Sequence, residues 1–286
     1  MNKLKVNSGI LFMFLLFRVT SPSSEAQVIV YPVVTTDQTI TYGTYRDAFQ
    51  ENITHYAGKI SYIDHWNSSW SGGYRRTGIS YTNGFEYLQH QFVGSKGHSF
   101  VVGSNLLSVR GDILYISSNS ALTDGNVTLY GGMWYYDIPT QLTIGLHAQG
   151  NVFQDLRTIG MSGLVSGRIG EGKWITGRVN VDRFSSDIGY GRALVSLNAS
   201  YSHLLSPSTS FLLSGKFGKR SLYYEPDIFL LYNTRDAHSS GGGITLFFAP
   251  WRSVSLFADV SIDRFVPVGS QPYVATYFSI GGQFIF

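Results

Sequence analysis

The sequence predicts an all-β chain: an antiparallel, up-and-down transmembrane β-barrel of about 14 strands, with 12–16 compatible with the pattern. Three observations predict it. Apolar and polar side chains alternate with a period of two over segments of roughly 10–13 residues. Globular strands are mostly about 5–6 residues long, and tilted membrane strands need ~9–11. Charged residues are only 14% of the 286, aromatics are 15%, and there are 32 glycines, a composition suited to many strands joined by turns. Beyond residue 27 the longest apolar run is the five residues Ile228–Tyr232, too short for a membrane helix.

The alternation is clearest towards the C-terminus. Val254, Leu256, Ala258, Val260 and Ile262 alternate with Ser253, Ser255, Phe257, Asp259, Ser261 and Asp263. Successive side chains of a strand point to opposite faces, so one face here is wholly apolar. Leu142, Ile144, Leu146, Ala148 and Val152 behave likewise against Thr143, His147, Gln149 and Asn151. So do Ala193, Val195, Leu197, Ala199 and Tyr201 against Ser196, Asn198, Ser200 and Ser202. Ile175, Val179 and Val181 oppose Thr176, Arg178, Asn180 and Asp182, and Ile244, Leu246 and Phe248 oppose Gly243 and Thr245. A soluble sandwich also alternates. Strand length and a polar face of small residues with scattered charges favour a lipid-facing exterior around a wet lumen.

The first residues read as an export signal. Lys3 and Lys5 precede the apolar run Ile10–Phe17, and Ser24-Glu25-Ala26 places small residues where a signal peptidase needs them. Arg18 departs from the usual pattern. The expected organisation is a signal peptide 1–26 cleaved after Ala26, a periplasmic segment 27–36 and a barrel 37–286. Loss of Lys3, Lys5, Arg18 and Glu25 would lower the net charge from +3 to +1, leaving no basic tract for nucleic acid. There is no cysteine, which excludes disulfides and thiolate metal sites.

The chain ends within a strand whose Phe278, Ile280, Phe284 and Phe286 share a face. In this it resembles bacterial outer-membrane β-barrel proteins as a class. That resemblance implies residence in the outer membrane, contact with its lipid, and a terminal aromatic, Phe286, read by the barrel-assembly machinery. Tight turns are expected at 138–139, 170–172, 205–207 and 249–251, and longer connections near 46–53, 118–125, 184–189, 219–238 and 265–272. In such barrels the short turns are periplasmic. The expected strands are 37–46, 54–64, 70–81, 85–94, 99–118, 125–137, 140–152, 156–169, 173–184, 189–204, 208–218, 239–249, 252–264 and 273–286. Residues 99–118 are long for one strand, and within 219–238 the stretch Asp227–Tyr232 has the pattern of an extra hairpin. Trp66, Trp70, Trp134, Trp174 and Trp251 all lie near the short turns and suggest an interfacial belt.

The pattern predicts a passive pore for small solutes. Lys59, Arg168, Arg178, Asp182, Lys216, Asp259 and Asp263 fall on polar faces and are its candidate lining. Four are basic and three acidic, so strong ion selectivity is not expected. A barrel of ~14 strands is too wide for side chains alone to fill, so the lumen holds water unless a loop or segment 27–36 plugs it. One alternative is a non-transporting structural or surface-interaction barrel acting through 219–238 and 265–272. Another is a lipid-modifying barrel enzyme. Of the seven histidines, His147 lies on a polar face between Thr143 and Gln149, as a general base would. A solvated lumen histidine explains it as well, and no nucleophile elbow or His-Glu-x-x-His motif is present. No catalytic constellation, cofactor or metal site is expected.

Overall fold

The structure, a computed structural model, describes residues 32–46, 48–64, 67–121, 123–153, 156–226, 230–232 and 236–286. The expected signal peptide and the cleavage point after Ala26 lie outside the described residues, as do His65 and Trp66. The strands are β1 (Val33–Arg46), β2 (Gln50–Ile63), β3 (Ser68–Tyr81), β4 (Glu86–Val102), β5 (Asn105–Ser118), β6 (Val127–Asp137), β7 (Leu142–Val152), β8 (Arg157–Gly170), β9 (Lys173–Phe184), β10 (Ala193–Ser206), β11 (Thr209–Arg220), β12 (Tyr223–Glu225), β13 (Leu230–Tyr232), β14 (Ala237–Trp251), β15 (Val254–Val266) and β16 (Tyr273–Ile285). Fourteen of them close an antiparallel barrel, and β12 and β13 form a separate two-stranded hairpin.

Every wall strand pairs with its neighbours in sequence, and β1 pairs with β16 from Thr35↔Ile285 to Arg46↔Val274 to close the ring. Phe286 extends this seam, its N–H donating to the Val34 carbonyl at 2.8 Å. Closure leaves no unpaired sheet edge. β1 begins at Val33, so residues 33–36 belong to the barrel rather than to the expected periplasmic segment. The long stretch 99–118 divides differently from expectation. β4 runs on to Val102, and the chain reverses at Gly103-Ser104, where Gly103 has φ 62°. The break expected between 94 and 99 falls inside β4, where Gly97 faces Ser69 so closely that a Cβ would lie 2.6 Å from its Oγ.

The two faces of the wall follow the alternation. Ile144, Leu146, Val179, Val195, Ile244, Val260, Ile262 and Ile280 are exposed on the outside. Thr77, Gln89, Gln91, Thr128, Asn151 and Asn180 are buried on the inside. Apolar-out and polar-in is the order a bilayer imposes. Of the tryptophans, Trp70 and Trp251 face outwards, and Lys96 Nζ lies 4.2 Å from the Trp70 ring centroid. Trp134 and Trp174 instead point inwards, Trp134 against His147 and Trp174 only 8% exposed, so the expected five-membered belt does not form. Their positions in the alternation, rather than their nearness to turns, decide this.

Candidate functional site

Between β11 and β14 the chain folds into the barrel instead of over it. Leu222, Tyr223, Tyr224 and Leu231 are each at most 3% exposed. Displayed on an outer loop, these side chains would form an exposed apolar patch. Inside, Tyr224 and Leu231 cover Val93, Leu114, Ile116 and Tyr130, which are inward-facing and would otherwise be wet. This corrects the reading of 219–238 as a displayed surface loop, since its described residues 221–224 and 231 are buried. A hairpin does form in 219–238, but its first strand, β12, precedes the expected Asp227–Tyr232 stretch, and it adds nothing to the wall.

The hairpin pairs only with itself in sheet fashion, so polar side chains fix its place. Tyr224 Oη donates to Asp112 Oδ2 at 3.0 Å, and Asp112 is held by a two-point contact from Arg110, both bonds 2.7 Å. Arg110 also donates to the Pro226 carbonyl at 3.2 Å, and Asn151 Nδ2 to the Leu222 carbonyl at 3.0 Å. Arg220 bridges Asp182 and Glu225, each at 3.0 Å, and Arg178 reaches Glu225 at 3.4 Å. On the other side Tyr223 Oη and His238 Nδ1 are 2.9 Å apart, and His238 Nε2 is 3.0 Å from Asp263 Oδ1. Gly241 makes room for that last pair, because a side chain there would overlap the Asp263 carboxylate. The three glycines at 241–243 therefore continue β14, and the first serves close packing.

The hairpin leans on the β5–β9 side and leaves the rest of the lumen open. A cavity of about 1330 Å³ is lined by β1 from Val33 to Tyr45 and by β16 from Tyr273 to Ile285, almost the whole length of both strands. Lys59, Arg178, Lys216, Asp259 and Asp263 all line it. Lys59 is paired with Asp37 at 2.8 Å, and Asp259 accepts from Thr245 at 2.7 Å. Asp182 is inward but sits behind the hairpin with Arg220. Arg168 is at the short-turn end, donating to the Gly170 carbonyl at 2.9 Å. Sequence reasoning missed Arg110 and Arg252, which also line the cavity together with Arg75, and the carboxylates Asp112 and Glu225 that anchor the hairpin.

His147 Nδ1 is 3.0 Å from Ser162 Oγ, the residue opposite it on β8. The pair lies beneath the hairpin in a space of about 20 Å³. That is room for roughly one water by the usual measure of ~10–15 Å³.

A closed fourteen-stranded barrel, apolar without and polar within, defines an integral membrane protein of the bacterial outer-membrane β-barrel class. The sequence matches no protein-family model, and no curated protein matches it. Solved structures do. CymD, described as a monoaromatic hydrocarbon channel, superposes with a TM-score of 0.59 at 7% identity, covering 89% of this chain and 88% of that one. The toluene transporter TbuX of Ralstonia pickettii gives 0.55 at 8% identity, covering 89% of each chain. An outer membrane channel from Pseudomonas putida F1 gives 0.51 at 10%, covering 94% of this chain and all of its own. At these identities the likeness establishes the fold alone.

Proposed function

We propose that the protein is a passive channel for small solutes in the bacterial outer membrane, narrowed by the β12–β13 hairpin. The carrying observation is the cavity beside the hairpin, which follows β1 and β16 along almost their whole length. That structurally similar barrels are channels or transporters supports the reading. Planar-bilayer conductance of the refolded chain tests it. Stable steps that scale with salt are expected, whereas a folded but silent barrel rejects an open lumen.

The lining sets a weak ion preference. Among the described residues, six lysines and arginines but three aspartates line the cavity. The carboxylates Asp112 and Asp182 are buried behind their arginines, with 1% and 3% of their side chains exposed. Fixed charges of one sign favour counter-ions in a narrow lumen. Under a salt gradient the reversal potential is therefore expected to show mild anion preference, and Lys216→Glu to move it towards cations. An unchanged potential would remove Lys216 from the conduction path.

The same reading includes export by a signal peptide cleaved after Ala26 and recognition of Phe286 by the assembly machinery. Phe286 is 77% exposed at the closing seam, where its ring is accessible while its backbone pairs with β1. Phe286→Ala is expected to lower the yield of assembled barrel in cells while leaving refolding in detergent intact. Equal yields would dismiss that role.

A further inference from the structure

The outer face of the barrel changes character where the long loops begin. Going down from that end, the outward positions of β8 are Arg157, Ile159 and Met161, those of β9 are Arg183, Val181 and Val179, and those of β11 are Lys219 and Phe217. Each strand thus places an exposed cation at the edge of the apolar band. Directly below them Ile159, Val181 and Phe217 are 45–60% exposed. Arg183 pairs in register with Ile159 on one side and with Ala193 on the other. Arg157 is therefore one outward position above Arg183, and Ala193 is the β10 residue beside Arg183. With strands ~4.8 Å apart, the row from β8 to β11 spans about 15 Å.

Among the described residues no ion pair joins Arg157, Arg183 or Lys219 to a carboxylate. Asp187, in the adjoining loop, uses its carboxylate to accept from the backbone of Gly189 and Gly191 at 2.7 and 3.0 Å. Lys219 Nζ is oriented by the Tyr190 ring, 5.0 Å from its centroid. At the short-turn end of β8, β9 and β10 the outward positions are Ile169, Lys173 and Leu205, so only one is charged. The asymmetry matches the two leaflets of an outer membrane, because long loops mark the outer side and the outer leaflet carries phosphorylated glycolipid.

We propose that this row binds one phosphorylated outer-leaflet glycolipid. Its acyl chains lie on Ile159, Val181, Val195 and Phe217, and its phosphates on Arg157, Arg183 and Lys219. Guanidinium groups suit phosphate because they donate two parallel bonds to it. The proposal rests on the membrane-spanning fold and is independent of whether the lumen conducts.

The test titrates the refolded full chain, in detergent, with bisphosphorylated lipid A and with the same lipid stripped of phosphate. The wild type is expected to prefer the phosphorylated form by roughly tenfold or more, as several cations at a lipid surface allow. Arg157→Gln/Arg183→Gln/Lys219→Gln should lose that preference yet still take up the stripped lipid. Arg157→Lys/Arg183→Lys should keep most of it, and Lys173→Gln should keep all. If the triple variant does not refold, the exposed single changes Arg183→Gln and Lys219→Gln carry the test, each lowering the preference. Equal affinity of the wild type for both lipids, or undiminished preference in the variants, overturns the proposal. So does displacement by an equal concentration of inorganic phosphate, which would make this a free-anion site.

Discussion

Arg220→Met is expected to release the hairpin and give a larger, noisier single-channel current than the wild type. The arginine side chain is 9% exposed and satisfies two carboxylates at once, Asp182 and Glu225. Its guanidinium also lies 3.8 Å from the centroid of the Tyr223 ring. Methionine keeps much of the volume and removes the charge. Asp182, with 3% of its side chain exposed, then loses its ion-pair partner, and Glu225 retains Arg178 at 3.4 Å. Breaking a buried pair from one side typically costs about 3–5 kcal/mol. That loss falls on the hairpin rather than on the wall, because the wall is held by fourteen strand pairings and the hairpin by side chains. Heat-modifiable migration on gels should therefore persist while conductance rises. Arg220→Lys should fall between the two, since an ammonium keeps the charge but not the fork that spans both acids. Adding Asp182→Asn to Arg220→Met should recover part of the loss, because the unpaired charge is then gone. Wild-type current and noise in Arg220→Met would mean that the hairpin is not the constriction.

The wall of this barrel was legible because a bilayer acts on every strand in the same way. β15 and β16 show it best, with Val260 and Ile280 outside and Ser261 and Ser279 inside. The break expected between 94 and 99 does not exist, because Gly97 lies inside β4 and makes room for Ser69. The real reversal at Gly103-Ser104 is a two-residue turn within a run of alternation that hid it. β10 begins at Ala193 rather than 189, because Ile188 packs into a cluster with Phe184 and Leu194 instead of joining a ladder.

The interior was legible only in part. The alternation placed seven charged residues on inward faces, but it says nothing about which of them meet. Asp182 meets Arg220 from another wall strand, and Arg178 finds Glu225 only because the hairpin brings that carboxylate into the lumen. A local signal for that hairpin was present. Ile113-Leu114-Tyr115-Ile116 is apolar on both faces, which a water-filled lumen does not favour. The apolar residues Leu222, Tyr223 and Tyr224 occur in a connection too long for a simple turn. Two apolar anomalies far apart in sequence are each other's explanation: β5 offers a dry inner patch, and the segment after β11 covers it.

The outer face supports the second large effect, which depends on depth. Val260→Arg is expected to destabilise the barrel by about 2–4 kcal/mol in lipid, the cost of a cation near the bilayer midplane. Val260 is in the middle of β15, 40% exposed, with Ile244 and Phe278 beside it in register on β14 and β16. Leu256, equally apolar and on the same face, is only the third residue of β15. Near the interface an arginine costs roughly 0–1 kcal/mol, since its long side chain reaches the headgroups. Leu256→Arg should therefore be mild. Ser261→Arg tests the facing itself. Ser261 is adjacent to Val260 in sequence but lines the cavity, where an added guanidinium meets solvent. Equilibrium refolding of the three variants into lipid vesicles across a urea series separates the contributions. The expected order of loss is Val260→Arg first, with Leu256→Arg and Ser261→Arg well below it. Equal losses at Val260 and Ser261 would contradict an outside that faces hydrocarbon and an inside that faces water. Equal losses at Val260 and Leu256 would instead shift the apolar band down the wall, towards the short turns.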